Sequence, residues 1–187
     1  MKVLFLPDYS EANAYKRELS SALGELDVSA PGGAFAVRGN IEPPRWPEIF
    51  AGLPVTPVTQ TQSFEAAGLR VTCLSERDSF DPSLVLAGDE DDRFHVVLGH
   101  SPNFALGRVE ADLLVAGHTH GGQVQVPLVG PLVTLSKVPR RWAAGLTDLP
   151  GGGRLLVSRG VGMEGGGAPR LRFFCRPELV VIDLAPE

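Results

Sequence analysis

The apolar positions of this chain fall into short runs cut by proline and glycine. Lys2 to Leu6 is almost continuously apolar and stops at Pro7, the pattern of a buried strand. Ser10 then stands in N-cap position, and Tyr15, Leu19, Ala22 and Leu23 recur at helical spacing. Pro31-Gly32-Gly33 breaks the chain before a second strand, Ala34 to Val37. Strand, helix and strand in this order predict a right-handed βαβ unit with parallel strands.

A short helix is expected around Glu48 to Ala51, and a β-hairpin over Gln62 to Ser75 with Ala67-Gly68 at its turn. His95 to Leu98 and Leu113 to Ala116 read as strands buried on both faces, because neither alternates with polar residues. Each ends at Gly-His. Four more strands are expected at Gln123–Val126, Arg154–Ser158, Arg170–Phe174 and Leu179–Leu184. The front half thus reads as α/β and the back as largely antiparallel β. The simplest architecture is two packed mixed β-sheets with helices outside. No repeat or linker divides the chain, so residues 1–187 are expected to form one domain.

Composition narrows the class. The chain has 187 residues, 43% hydrophobic and 21% charged, as a soluble globular domain does. Its net charge of −5 argues against nucleic acid as a partner. No apolar stretch is long enough to span a membrane, and the N-terminus reads as a strand instead of a secretory signal, so a cytoplasmic location is expected. Cys73 and Cys175 are far apart and outside any CxxC pair, which predicts buried, reduced thiols. The 22 glycines and 16 prolines punctuate strands; the triple glycines at 151–153 and 165–167 lack the Gly-Lys-Ser/Thr of a phosphate-binding loop.

Candidate chemistry is concentrated. All four histidines lie between positions 95 and 120, and three follow strands: Gly99-His100 and Gly117-His118-Thr119-His120-Gly121-Gly122. Loops at the carboxyl ends of parallel strands are where α/β sheets build ligand sites. Imidazole is a good ligand for zinc, iron and related ions, and flanking glycines let the backbone turn sharply around one. A single strand-end histidine is usually only hydrogen-bonded. The His118/His120 pair together with His100 favours metal, whereas His95 lies on its strand and reads as structural. Lys137, Arg140 and Arg141 read as solvated charge rather than phosphate clamps, the acidic run Asp89 to Asp92 as a hydrated turn, and Trp46 and Trp142 as packing residues.

Gly117-His118-Thr119-His120-Gly121-Gly122-Gln123, preceded by Leu98-Gly99-His100-Ser101-Pro102, resembles the calcineurin-like metallophosphoesterases, in a bacterial branch of that family. The segments Val157-Ser158-Arg159-Gly160-Val161-Gly162 and Leu171-Arg172-Phe173 through Arg176-Pro177-Glu178 are similar as well. The resemblance implies a four-layer sandwich of two sheets between helices and a phosphomono- or phosphodiesterase of a two-metal family, with one divalent ion of manganese, zinc or iron type expected here and a second as the alternative. It implies that Asp8 is the bridging carboxylate, that Asn40, His100 and His118 complete one metal site, and that His120 serves the second. Two departures accompany it. Ile41 stands where the family has a histidine that assists the leaving group. The Asp-x-His motif expected a strand and a helix before Asp8 is not in the sequence. The fold is therefore expected to lack its first strand and helix and to expose a sheet edge beside Lys2–Leu6, with a start codon placed too late, a natural truncation, or a homo-oligomer covering the edge as the alternatives. Weak or lost activity is expected, on a phosphorylated small molecule or lipid phosphate. The alternative is a non-catalytic pseudo-phosphoesterase that binds a phosphorylated ligand or a protein.

Overall fold

The computed structural model describes residues 20–26, 28–88, 92–163 and 171–184. The expected strand Lys2–Leu6, most of the first helix, and Asp8 lie outside them. Residues 20–25, the described part of helix α1, are helical.

The strands are β1 (Phe35–Val37), β2 (Thr56–Val58), β3 (Gln62–Ala66), β4 (Leu69–Cys73), β5 (Val85–Leu86), β6 (His95–Leu98), β7 (Arg108–Val109), β8 (Leu113–Ala116), β9 (Gln125–Val126), β10 (Gly130–Pro131), β11 (Gly145–Asp148) and β12 (Arg154–Val157). A short helix, α2 (Glu76–Phe80), follows β4, its first turn capped by the Ser75 hydroxyl, which accepts from the Asp78 N–H. Six strands form the main sheet, in the order β11-β12-β8-β6-β4-β3. Its four central strands are mutually parallel, and both edges are antiparallel.

Alternation along the central strands explains why they read as unbroken apolar runs. Val96, Leu98, Leu113, Val115 and Leu156 face one side, where they meet Phe35 of β1 and Val58 of β2. Val97, Leu114, Ala116, Leu155 and Val157 face the other, against Phe104, Val138 and Trp142. With both faces covered along Val96–Leu98 and Leu113–Ala116, neither parity of position there is left for a polar side chain.

The parallel β1–β2 pair is the second sheet. Its outer face, through Ala34 and Ala36, packs on Leu23, Trp46, Ile49 and Phe50. The order is therefore helical layer, small sheet, large sheet, and a second helical layer of α2 and the 3-10 turns Pro102–Leu106 and Arg140–Trp142. This is a mixed α/β sandwich. Cys73 and Cys175 are both buried and free, and burial pushes the Cys73 thiol up to about 12.

Several local expectations differ from what forms. The helix expected at Glu48–Ala51 is a 3-10 turn over Trp46–Phe50, begun by Pro47, which has no N–H to lose. Among the described residues, neither Arg170–Phe174 nor Leu179–Leu184 is a strand, and a single bridge, Val124 with Phe173, is all that forms there. The apolar pattern is present, but a strand also needs a ladder partner, and no described strand runs beside Leu179–Leu184. Val181 accordingly stays 80% exposed. β11 was not foreseen. It contains Gly145 and only one strongly β-favouring residue, Thr147, and pairing with β12 holds it in place.

Candidate functional site

Three elements deliver side chains to one end of the sandwich. β1 leads into Asn40, β6 into His100, and β8 into His118, all at the carboxyl ends of parallel strands. The β6–β8 ladder runs on past its last pair: Gly99 N–H donates to Val115 O at 3.0 Å and Gly117 N–H to His100 O at 2.9 Å. The two Gly-His pairs are thereby locked side by side. Gly99 is required here by contact. A Cβ at that position would sit 2.7 Å from Phe104 Cε1, inside the wall of the core.

The side chains meet. His100 Nε2 lies 2.9 Å from Asn40 Oδ1 and 3.1 Å from His118 Nδ1, although Asn40 is 60 residues away in sequence. His118 Nε2 is 3.1 Å from Leu135 O. A carbonyl only accepts, so this nitrogen carries the hydrogen and leaves the Nδ1 lone pair facing His100. Asn40 Oδ1 and His118 Nδ1 are thus both acceptors turned toward His100 Nε2. The ring of Phe80 covers the pair, edge-on to His118 at a centroid separation of 4.9 Å and tilted to His100 at 5.9 Å.

The Gly-His-Thr-His-Gly-Gly loop is held in an unusual backbone. His118, His120, Gly121, Gly122 and Gln123 all have positive φ, +66°, +48°, +63°, +76° and +53° in turn. Non-glycine residues rarely adopt this region, and such conformations persist only where surrounding contacts fix them. Those contacts are visible. Thr119 Oγ1 donates to Ala143 O at 2.7 Å and accepts from Gly121 N–H. The Cys175 thiol donates to His120 O at 3.1 Å, and Gln125 Nε2 donates to Gly121 O at 2.9 Å. Arg172 spans the neighbouring turns, donating to the carbonyls of Arg159, Gly160, Gly162 and His120. The C-terminal segment around Arg172 and Cys175 therefore acts as a brace behind the histidine loop.

Of the expected site residues, Asn40, His100 and His118 come together. His120 is buried two residues further on. Asp8 lies outside the described residues. Ile41 is half-buried and follows Asn40 directly. Among the described residues, no group of three His, Cys, Asp or Glu side chains gathers as a metal cage; the convergent set is two imidazoles and a carboxamide. His95 is structural as expected, with Nε2 bonded to Thr72 Oγ1 at 2.8 Å and Nδ1 to Glu110 O at 3.1 Å.

Two contributors had no sequence signal. Asn103, buried, accepts at Oδ1 from Ser136 Oγ at 2.7 Å and from Lys137 N–H at 2.8 Å, and so anchors the loop carrying Leu135 O. Phe80 approaches only through tertiary folding. A cleft of about 740 Å³ opens at the opposite, amino-terminal edge of the sheet, lined by Arg70, His95, Arg108 and Trp142 among others. It includes none of the convergent residues, so donor chemistry rather than cavity size marks the candidate site.

With this mixed α/β sandwich and its Gly-His loops in place, the chain is similar in sequence to proteins named metallophosphoesterase or phosphodiesterase. The chain is 35% identical over 96 residues to the uncharacterized metallophosphoesterase YkuE of Bacillus subtilis, a match covering 50% of this chain and 32% of that protein. It is 41% identical over 92 residues to the phosphodiesterase YaeI of Escherichia coli, covering 48% and 32%. An uncharacterized metallophosphoesterase of Aquifex aeolicus is 28% identical across 89% of this chain and 65% of its own length. The chain thus spans only about a third of the first two relatives it matches. No family model matches the chain, and no solved structure matches it significantly.

Proposed function

We propose that this protein hydrolyses phosphoric esters with the help of a divalent cation, and that Asn40, His100 and His118 hold that cation. The observation that carries the reading is the meeting of Asn40 Oδ1, His100 Nε2 and His118 Nδ1 within 2.9–3.1 Å contacts. The donor set fits: imidazole nitrogen and amide oxygen suit zinc, manganese or iron. Asn40 Oδ1 and His118 Nδ1 lie 2.9 and 3.1 Å from His100 Nε2, and these three side chains would hold the cation. When bound, such an ion supplies Lewis acidity toward a phosphoryl oxygen and lowers the pKa of water.

The protein's own groups supply orientation. The Leu135 carbonyl fixes the His118 tautomer, and the glycine-flanked loop lets the backbone pass close to the phosphate position. Phe80 shields the imidazoles on one side, which keeps the site from being fully solvated. Asp8 and His120 would extend the ligand set toward a second ion. The chain is read as one domain throughout, acting on a phosphorylated small molecule or lipid phosphate.

The test is metal analysis with hydrolysis of bis-p-nitrophenyl phosphate in added manganese. The purified chain should retain about one or two equivalents of divalent metal, and His118→Ala should lose it; metal-free wild type, or undiminished binding in the variant, refutes the site. A non-catalytic phosphoesterase-like binder is the second reading, and Ile41 beside Asn40 favours it, because isoleucine can neither donate a proton nor stabilise a leaving group. Activity that appears only in Ile41→His would support that second reading. Chelator-sensitive activity in the wild type would defeat it.

A further inference from the structure

We infer that the β9–β10 hairpin and the basic turn behind it form a docking element for the surface of an anionic lipid bilayer. The inference rests on surface chemistry outside the ligand set and stands independently of the phosphoesterase reading.

Between Pro127 and Leu135 five of nine residues are exposed aliphatics: Leu128, Val129, Leu132, Val133 and Leu135, with fractional exposures of 108%, 64%, 46%, 62% and 64%. Isolated exposed apolar residues are ordinary, but a contiguous apolar projection marks an interaction site. The hairpin projects because β9 and β10 pair only at Gly130–Val126 and Pro131–Gln125, with Val129 N–H closing the turn on Val126 O at 3.0 Å. Leu128 and Leu135 both have positive φ, +67° and +50°. Leucine rarely takes that conformation, yet here it is held with the side chain in solvent.

The sequence around the hairpin is one-sided in charge, with Asp81 facing Lys137 from another element. From Leu113 to Thr147 the sequence contains no Asp or Glu, while Lys137, Arg140 and Arg141 are present, in a chain of net charge −5. All three basic side chains are exposed. The turn Arg140–Trp142 packs directly against β10, so the positive charge lies beside the apolar tip. Aliphatic prongs with a lysine and arginine collar match a bilayer boundary, where apolar groups enter the acyl region and cations meet phosphate headgroups. A protein partner is less suited. Interface hot spots favour aromatic anchors in a flat desolvated centre, and Val124 to Leu135 contains no aromatic residue. Among the described residues no helix is long and apolar enough to cross a membrane. Because Leu135 O is the partner of His118 Nε2, docking sets the His100–His118 pair at the lipid boundary.

Co-sedimentation of the full chain tests this, using vesicles of phosphatidylcholine with and without phosphatidylglycerol. Binding should be about a hundredfold tighter with the anionic lipid, from three basic residues near the surface. The double variant Leu128→Glu/Val129→Glu should lose at least about tenfold, and Lys137→Glu/Arg140→Glu should abolish the lipid preference while thermal melts stay unchanged. Chelator should have no effect, which separates this result from failure of the cation site. Equal sedimentation of wild type and Leu128→Glu/Val129→Glu overturns the proposal. So does absence of vesicle binding combined with a concentration-dependent dimer that the same variant breaks, which would assign the hairpin to a second copy of the chain.

Discussion

His118 shows how much surrounding structure one site residue draws on. Its φ of +66° is uncommon for a residue with a Cβ, and its ring would be free to rotate without a partner at Nε2. The partner is Leu135 O, and that carbonyl is positioned by Asn103, whose Oδ1 takes hydrogen bonds from Ser136 and Lys137. Removing the carboxamide leaves both donors unmatched and loosens the loop. Asn103→Ala is therefore expected to weaken manganese binding by about 10–100-fold, the usual cost of losing an outer hydrogen bond to a ligand. Isothermal titration calorimetry measures this. Asn103→Asp, which keeps the acceptor, should recover most of the loss; if it does not, Asn103 acts only through packing.

At the scale of elements, the site depends on strand ends being held at fixed depth. The 3-10 turn Pro102–Leu106 presses Phe104 against Gly99, and Phe104 is fully buried beside Val97, Leu114 and Leu155. Its ring therefore supports both the core and the segment that delivers His100. Phe104→Ala should destabilise the fold by about 3–5 kcal/mol, the range for emptying a buried aromatic site, as read by urea denaturation. Since the cavity would open directly behind Gly99, metal affinity should fall in the same variant under conditions where it remains folded. Leu146, exposed on edge strand β11, offers the contrasting position: truncation there empties no cavity.

Across the whole molecule, the C-terminal segment closes on the histidine loop through Arg159, Arg172 and Glu178. Burial alone would raise the Glu178 carboxyl. Hydrogen bonds from the Arg159 side chain and N–H, with the charges of Arg159 and Arg172, outweigh that and hold it below its usual value. A carboxylate with a depressed folded pKa adds stability that is present above its unfolded pKa and disappears as pH falls through the folded one. Stability should thus fall on acidification below about pH 4.5, with a shallower loss in Glu178→Gln than in wild type. Thermal melts across pH 3–7 check the sign. A variant whose acid limb is as steep as that of wild type would show that the pair does not link the segment's docking to pH.

The amino-acid order alone determined the parts of this protein whose signal is local. The strands at His95–Leu98 and Leu113–Ala116 were legible because burial on both faces leaves an almost wholly apolar run, and the hairpin turn because Gly68 accepts a positive φ of 80°. The Gly-His pairs were legible as candidate chemistry because glycine and histidine at strand ends are an uncommon combination. Tertiary structure decided what adjacency in sequence does not encode. It brought Asn40 to His100 across 60 residues, laid Phe80 over both imidazoles, and used Asn103 to place Leu135 O. It also denied strand structure to Leu179–Leu184, where a nearly continuous apolar run exists but no described strand offers a ladder. The physical reason is common to these cases: periodicity and turn chemistry act within a few residues, whereas hydrogen-bond partners and ladder neighbours exist only once distant segments have packed.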